Sequence, residues 1–315
     1  MWFSSLMRNP KRSGLGHGRR MPAASRQRST FRPQLEALEG RDVPSTLTVT
    51  SNLGFGPGSL RTEIYSAQNG DTIVFDNSLK SKTIVTNDFL GGTPSEIEIN
   101  KSINIQGLGA NHLAISGGYF SRVFRVDGID LLIQPVHVTI SGLTIENGWG
   151  RQAGLDPATD DGEGGGIINY GTLTLTGCTL SGNSVTIFPG LGGAIYNAGT
   201  LTLSGCTVTG NSALQGGGIF NASTLTLTGS TVTRNSAVYG YSAVIGGGIY
   251  NAGTLTLSGS TVSQNSGTGA GIYNDYSGVL TILSSTVKNN HGTFDLYNLG
   301  TWSADSNSTI GTVGP

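Results

Sequence analysis

One unit decides the fold of this sequence, and it recurs nearly letter for letter from residue 164 onward. Its four clearest copies are GGGIINYGTLTLTGCTLSGNS (164–184), GGAIYNAGTLTLSGCTVTGNS (192–212), GGGIFNASTLTLTGSTVTRNS (216–236) and GGGIYNAGTLTLSGSTVSQNS (246–266). A looser copy, GAGIYNDYSGVLTILSSTVKNN, occupies 269–290, and a decaying one, DLYNLGTW, occupies 295–302. Repeats of this length are typical of solenoids, in which each unit packs against its neighbours.

Each unit contains three short stretches in which apolar and polar residues alternate. In the second copy the apolar positions are Ile195, Leu201, Leu203 and Val208, with threonine or tyrosine between them. A period of two, bounded by glycine and asparagine, predicts strands rather than helices. One unit cannot close a core alone, but equivalent strands of stacked units can hydrogen-bond along an axis, about 4.8 Å apart.

The sequence therefore predicts an all-β fold, a single parallel β-helix solenoid. The solenoid is expected to be right-handed, because crossover connections between parallel strands are generally right-handed. In this fold one row of leucines should point inward. Its members are Leu201, Leu203, Leu225, Leu227, Leu255 and Leu257.

The chain divides into three parts. Residues 96–312 are assigned to the parallel β-helix, with regular repeats over 164–290, and residues 46–95 to an N-terminal cap. Residues 1–45 lack periodicity and contain nine basic and three acidic residues, so they are predicted to be a disordered basic tail. Binding of this tail to an anionic polymer or a membrane surface is the alternative.

The N-terminal cap should contain one short helix, over about residues 59–69. Leu60, Ile64 and Ala67 have helical spacing, and Ser59 suits the N-cap position. Asn69-Gly70 suits the end of a helix. Such a helix would cover the apolar rows and the unpaired strand edge that the first coil otherwise exposes.

Three segments resemble known families. GSLRTEIYSAQNGDTIVFDNSL (58–79) resembles the CSLREAI-type segment of bacterial right-handed β-helix proteins, with Gly58 where that family has cysteine. The GGAI/GGGI units are similar to the repeats of chlamydial polymorphic outer membrane proteins, within the pectin-lyase-like class. FRPQLEALEGRDVPS (31–45) resembles the extracellular motif of planctomycete proteins. The resemblance implies a β-helix over roughly 58–310, export, and an extracellular or cell-surface location. Pectin-lyase-like solenoids include lyases, glycosidases, adhesins and spacers, so the fold does not decide the function.

Charged residues are rare in the regular coils. From residue 164 to 233 there is no Asp, Glu, Lys, Arg or His, and from 234 to 290 the charged residues are Arg234, Asp275 and Lys288. Acid–base chemistry needs positioned titratable groups. The sequence therefore predicts no catalytic residues in these coils and favours a non-enzymatic protein. The alternative is a polysaccharide-active enzyme, a lyase or glycosidase, with its site in the upstream coils near 122–163.

The charged upstream region includes one candidate metal site. Asp156, Asp160, Asp161 and Glu163 place four carboxylates in eight positions, and such oxygen ligands suit calcium. The alternative is an ordinary solvated acidic loop. No other cofactor is predicted.

Two rows of asparagine recur in the repeats, and we assign both a structural role. Asparagine tolerates left-handed turn geometry, and stacked amides can hydrogen-bond from coil to coil. One row is Asn169, Asn197, Asn221, Asn251, Asn274 and Asn298, and the other is Asn183, Asn211, Asn235, Asn265 and Asn290. Cys178 and Cys206 occupy equivalent places in adjacent units. The sequence is compatible with a disulfide between them and also with a stack of small residues that contains no bond.

An aromatic residue follows the inward isoleucine in most units, and alternation places it on the outer surface. We expect these rings to form a ligand-binding ladder beside loops of variable length, although rings that only stack on one another are the alternative. The candidate binding residues are Tyr196, Phe220, Tyr250, Tyr273, Tyr297, Trp149, Tyr239 and Tyr241. Outward threonines such as Thr200 and Thr202 form a second regular array, which suits an ice-binding surface or simply an exposed strand.

These patterns together favour a structural or adhesive solenoid that is secreted or displayed at the cell surface. Its expected partners are an extracellular glycan or a surface protein. Nucleic acid is not expected. The sequence has no stretch near the roughly 18 apolar residues of a membrane-spanning helix, so no membrane span is expected.

Overall fold

The chain winds through three parallel sheets in turn, and each regular coil gives one strand to each sheet. The computed structural model describes residues 43–86, 96–128, 134–150, 162–237, 245–267 and 269–315. All of them lie in the unit Val43–Pro315. The all-β solenoid predicted from the repeats is confirmed. Residues 1–42, most of the predicted tail, lie outside the described residues.

We number the sheets in the order in which a regular coil meets them. Sheet 1 contains Ile97–Ile99, Phe124–Val126, Ile167–Asn169, Ile195–Asn197, Ile219–Asn221, Ile249–Asn251, Ile272–Asn274, Leu296–Asn298 and Val313–Gly314. Sheet 2 contains Thr46–Val49, Thr72–Phe75, Asn104–Gln106, His137–Ser141, Thr172–Thr176, Thr200–Ser204, Thr224–Thr228, Thr254–Ser258, Val279–Leu283 and Thr301–Ala304. Sheet 3 contains Lys82–Val85, Leu113–Ser116, Thr144–Glu146, Thr179–Ser181, Thr207–Thr209, Thr231–Thr233, Thr261–Ser263, Thr286–Val287 and Thr309–Ile310. Ser212–Ala213 and Ser236–Ala237 form a small separate pair.

Equivalent residues of successive coils are in register, which merges their inward side chains into continuous rows. Leu201 pairs with Leu173 on one side and with Leu225 on the other. All six leucines predicted to point inward are fully buried. The interior is thus a single apolar core that extends through the stack, as expected when each unit contributes only a thin layer.

The turns before Cys206, before Asn211 and before their equivalents in the other regular coils use a left-handed backbone. Gly205 precedes Cys206 at the turn from sheet 2 to sheet 3 with φ 59°, and Gly210 precedes Asn211 at the next turn with φ 65°. At the position equivalent to Gly210, later coils have residues other than glycine. They are Arg234 (φ 56°), Gln264 (φ 58°) and Asn289 (φ 60°). The asparagines of the two rows do not themselves occupy this conformation, so the left-handed role assigned to them was wrong. Their amides bond between coils instead.

The N-terminal helix spans Leu60–Ser66, with Ser59 as its N-cap. It ends three residues before the predicted position because Ala67 takes an extended backbone (ψ 153°). Lys101 Nζ, from a later coil, donates to the carbonyl oxygens of Tyr65 and Ala67, both at 2.8 Å. This contact satisfies two of the carbonyl groups that a helix end leaves without partners.

The helix covers the first coil in the way that the apolar spacing predicts. Leu60 and Ile64 are buried, whereas Tyr65, on the opposite side, is 84% exposed. The region assigned to the cap also contains strands. Thr46–Val49, Thr72–Phe75 and Lys82–Val85 hydrogen-bond into sheets 2 and 3, so the solenoid begins well before residue 96.

Candidate functional site

The aromatic residues of sheet 1 form a stacked ladder on its outer face. Tyr196, Phe220, Tyr250, Tyr273 and Tyr297 occupy the same register position in five successive strands. Their ring centroids are 5.5, 4.7, 5.1 and 5.1 Å apart, and the angles between ring planes are 15°, 6°, 16° and 6°. The faces of the inner rings are therefore occupied by neighbouring rings.

This stacking limits what the ladder can bind. Tyr250 is only 8% exposed, and burial together with a hydrogen bond to Asp275 raises the pKa of its phenol. At the downstream end Phe294 lies 5.7 Å from Tyr297 and tilts 58° against it. A sugar ring stacks on an aromatic face, and the inner rings offer only edges and hydroxyl groups. The alternative in which the rings stack on each other accounts for this geometry.

Tyr170 extends the ladder upstream, although its sequence position did not predict this. Its ring meets Tyr196 edge-on at 6.4 Å, and the guanidinium of Arg125 lies 5.1 Å from its centroid. Its hydroxyl donates to Glu163 Oε2 at 3.2 Å. Tyr170 lies beyond the strand that carries Ile168, so the repeat alignment gives no signal for it. Trp149, the next predicted residue, is half-buried beside Ser184.

Several predicted residues lie outside the described part of the chain. They are Tyr239, Tyr241, Asp156, Asp160 and Asp161. Of the candidate calcium ligands only Glu163 is described. Among the described residues no three His, Cys, Asp or Glu side chains come together as a metal site. Calcium binding stays a prediction.

Among the described charged residues of the upstream coils, Arg122 is engaged in structural contacts. Arg122 is 5% exposed, pairs with Glu96, and donates to the carbonyl oxygens of Glu163 (2.7 Å) and Gly164 (2.8 Å). This arginine therefore ties the first regular coil to the irregular coils before it. A buried, fully paired guanidinium of this kind is positioned to hold backbone rather than substrate.

A second charged group lies on the outer face of sheet 1. Arg125 Nε donates to Asp127 Oδ1 at 2.9 Å. Glu98 shares a hydrogen bond with Asp127, and this bond, burial and the nearby negative charge raise the pKa of Glu98. Two carboxyl groups that share a hydrogen bond are the feature of the described coils that bears on the enzymatic alternative.

The first asparagine row is a continuous buried ladder inside the corner between sheets 1 and 2. Each Nδ2 donates to the Oδ1 of the next coil, at 2.8, 2.8, 2.7, 2.7 and 2.7 Å from Asn169 to Asn298. At the upstream end Val126 stands at the equivalent position. Consequently the buried Asn169 Oδ1 has no donor among the described residues.

The second row forms a ladder of a different kind, because each asparagine uses both its backbone N and its Nδ2 to donate to the amide oxygen of the next coil. In Asn211, for example, both the backbone N (3.0 Å) and Nδ2 (2.9 Å) donate to Asn235 Oδ1. The ladder ends at Asp295, whose Oδ1 accepts from Asn290 N (2.8 Å) and Nδ2 (2.9 Å). Its Oδ2 accepts from Thr312 N at 2.9 Å. A carboxylate suits this end because it accepts without needing a donor partner.

Cys178 and Cys206 are free and buried, and they begin a third ladder. Cys178 N donates to Cys206 Sγ at 3.4 Å, and Cys206 N donates to Ser230 Oγ at 3.1 Å. Ser230 and Ser260 continue it with the same bond to the next coil, at 3.1 and 2.9 Å. A thiol and a hydroxyl are interchangeable at this position, so the column of small residues explains both cysteines without a disulfide.

The widest regular outer surface is that of sheet 2. Its central column contains Thr139, Thr174, Thr202, Thr226, Thr256 and Thr281, all in register. A flanking column contains Thr172, Thr200, Thr224 and Thr254. We call these two columns the threonine face. They carry hydroxyl and methyl groups at the spacing of neighbouring strands, about 4.8 Å.

Three in-register parallel sheets wound around one apolar core define a parallel β-solenoid. The sequence matches the family described as "Right handed beta helix region" over residues 61–310, and the chain belongs to this family. No curated protein matches the chain. A chain of a solved structure, "Geobacillus virus E2 - ORF18", is 14% identical to it with a TM-score of 0.37. That match covers 84% of this chain and 63% of the viral chain, and at this similarity it supports no argument about function. In the described residues, no helix has the length and apolar character needed to cross a membrane.

Proposed function

We propose that the chain is a non-catalytic solenoid, secreted or displayed at the cell surface, that adheres to an extended glycan through the threonine face. The observation that carries this proposal is the in-register repetition of Thr174, Thr202, Thr226 and Thr256. A row of equal hydroxyl groups on a stiff surface suits a ligand that is itself repetitive.

The chemistry of the threonine face favours a neutral glycan. Strand spacing is about 4.8 Å, a length similar to that of one pyranose unit in an extended chain. Each threonine hydroxyl can donate one hydrogen bond and accept others, as sugar hydroxyls do. Residues 164–233 contain no charged side chain, so these coils offer no counter-ion to an anionic polymer.

The aromatic ladder plays a supporting part in this proposal. Its rings stiffen the solenoid beside the threonine face, and their phenol edges add hydrogen-bonding groups along the same axis. A binding experiment could instead identify a protein partner that packs against the aromatic ladder. Aromatic residues are enriched at protein interfaces, but these rings already bury much of their surface against each other.

Export rests on sequence resemblance. The segment 31–45 resembles a planctomycete extracellular motif, and the repeats resemble those of polymorphic outer membrane proteins. Protease treatment of intact cells that produce the full chain tests this step. Degradation of the chain, or its recovery from the medium, supports export, whereas protection until the cells are lysed contradicts it.

Glu98 and Asp127 are the observation that favours the second candidate, a polysaccharide-active enzyme. Their shared hydrogen bond resembles an acid–base pair. However, glycoside hydrolysis needs carboxyl groups about 5 Å or more apart, flanking the sugar, and a hydrogen-bonded pair is closer. Incubation with pectic and other acidic glycans plus calcium tests this candidate. Unsaturated products or new reducing ends that disappear in Glu98→Gln would favour the enzyme.

A glycan array with the full chain tests the adhesive proposal. We expect binding to a neutral, extended glycan that is lost in the double variant Thr202→Lys/Thr226→Lys, because lysines interrupt the threonine face. The control is Thr209→Lys/Thr233→Lys, which places the same charges on sheet 3 in the same coils. Loss of binding in both variants, or in neither, would contradict the assignment to this face.

A further inference from the structure

A pocket of about 350 Å³ opens on the outer face of sheet 3 in the first coils of the solenoid. It lies on a different sheet from the threonine face. Strands Lys82–Val85, Leu113–Ser116 and Thr144–Glu146 form its floor, and its lining includes Lys82, Asn111, His112, Ala114, Thr144 and Glu146. Its volume falls at the lower end of the range that small-molecule sites occupy, about 300–1,000 Å³.

The recess exists because one threonine is missing from a column. Along the outer face of sheet 3 the register runs through Thr83, Ala114, Thr144, Thr179 and Thr207. Threonine continues in the later described strands of this column. Ala114 has the smaller side chain, and it leaves space between Thr83 and Thr144.

A long turn forms one wall of the pocket. The turn from sheet 2 to sheet 3 takes residues 107–112 here, whereas in the regular coils it takes two residues, such as Gly177 and Cys178. The wall is held in place from both sides. Thr144 Oγ1 donates to Ala110 O at 2.6 Å, and Ser81 N donates to His112 O at 2.5 Å. The pocket is therefore preformed, which reduces the entropy lost on binding.

The polar groups that line the pocket are available to a ligand. Within the described residues, the side chains of Lys82, Asn111, His112 and Glu146 make no hydrogen bond. Burial raises the pKa of the Glu146 carboxyl. An ammonium group and a carboxyl group line the same small space. The carboxylate of Glu146 would repel a phosphate, and the ammonium group of Lys82 would repel a cation.

We infer that this pocket binds a neutral saccharide unit. Vicinal hydroxyls of one sugar ring can donate to the Glu146 carboxylate and accept from Lys82 and Asn111, so both charges are satisfied without a charged ligand. The recess over Ala114 supplies the apolar floor that the ring carbons need. The site binds one chain unit or a free sugar, and it does not depend on the threonine face.

Isothermal titration of the full chain with a panel of neutral mono- and disaccharides tests this inference, with galacturonic acid, glycine and inorganic phosphate as charged probes. Ala114→Thr is the decisive variant. Threonine occupies this position of the column in the other coils. The substitution therefore fills the recess with a side chain that the fold already accommodates. We expect at least a tenfold loss of saccharide affinity in Ala114→Thr and in Glu146→Gln.

Lys82→Ala should weaken binding, and Lys80→Ala is its matched control, because Lys80 is an exposed lysine two residues away that does not line the pocket. Unchanged affinity in Lys80→Ala and reduced affinity in Lys82→Ala support the site. The inference is overturned if no neutral saccharide binds, if Ala114→Thr binds as well as the native chain, or if a charged probe binds more tightly. The variant Thr202→Lys/Thr226→Lys separates the two proposals. If it loses binding on the glycan array but still binds saccharides in the titration, the threonine face and the pocket are independent sites.

Discussion

Leucine and asparagine are two of the inward side chains of this solenoid, and each stabilises the stack differently. Leucines remove apolar surface from water, which is worth about 25 cal/mol per Å². Asparagines instead satisfy buried backbone and side-chain groups from coil to coil. The two kinds alternate around each coil, with leucines in the strands and asparagines at the corners.

Leu227→Ala should lower the free energy of unfolding by about 2–5 kcal/mol, the range measured for buried leucines. Leu227 is fully buried and packs between Leu203 and Leu257 in neighbouring coils. Thr226→Ala, one residue earlier on the outer face, is the control and should change stability by less than about 0.5 kcal/mol. Urea unfolding measures both. Equal effects of the two substitutions would contradict the inward assignment.

Asn235→Leu should destabilise the fold more than a surface substitution, because leucine has the branched shape of asparagine but cannot accept a hydrogen bond. The change leaves the backbone N of Asn211 without its acceptor, whereas Nδ2 of Asn211 still donates to the carbonyl oxygen of Leu180. A buried donor without a partner costs about 1–3 kcal/mol. Ser236→Ala, at the adjacent half-buried position, is the comparison in the same unfolding assay. A leucine variant as stable as this control would show that the ladder contributes little.

The elements of this fold depend on rows of equivalent residues rather than on single contacts. In the aromatic ladder, Phe220 lies between tyrosines and stacks on both. A phenol hydroxyl is therefore not required for stacking at that coil. The aromatic ladder ends against Phe294, and the second asparagine row ends on Asp295, whose carboxylate accepts from the last amide of the row.

Tyr250→Ala should lower the unfolding free energy by about 3–5 kcal/mol, as for other buried aromatic residues. It removes two stacked contacts, with Phe220 and Tyr273. Tyr250→Phe keeps both contacts and loses only the hydrogen bond to Asp275, so its effect should be near 1 kcal/mol. Near-ultraviolet circular dichroism during thermal unfolding follows the ladder directly. Equal destabilisation by both variants would mean that the hydroxyl, not the stack, matters.

Acidification should loosen the last coil through Asp295. Burial opposes its ionisation, but hydrogen bonds from Asn290 and Thr312 outweigh burial and lower the pKa of this carboxyl. A lowered pKa in the folded state gives stability that is present above the unfolded value, about 3.9, and lost as pH falls through the folded pKa. We therefore expect the native chain to have a higher urea midpoint than Asp295→Asn at pH 7, and this difference to shrink as the pH falls below about 3.9. A difference that widens on acidification would contradict this assignment.

At the scale of the whole molecule, repetition made most of the fold predictable. One unit with period-two alternation places Leu201, Asn211 and Tyr196 on definite faces, and register extends each placement to every regular coil. The sequence gives no such guide where the coils are irregular. The helix end depends on Lys101 from a later coil, and the pocket over Ala114 depends on a turn that has no equivalent in the repeats.

The functional interpretation was less predictable for a physical reason. Alternation shows that a ring such as Tyr250 points outward, but it does not show whether the face of the ring is free. That depends on the distance between coils, about 5 Å, at which neighbouring rings cover each other. Tyr170 was missed because it reaches the ladder from the turn after its strand.

The dependence of affinity on glycan length tests the central proposal most directly. Each coil of the threonine face offers the same hydroxyl groups, so each further sugar unit that reaches a new coil should add a similar increment of binding free energy. Titration of Ala114→Thr, in which the pocket on sheet 3 is filled, with neutral oligosaccharides of increasing length should show affinity rising stepwise until the ligand spans the face. A monosaccharide or disaccharide that binds as tightly as the longest oligosaccharide would contradict binding along a repetitive face.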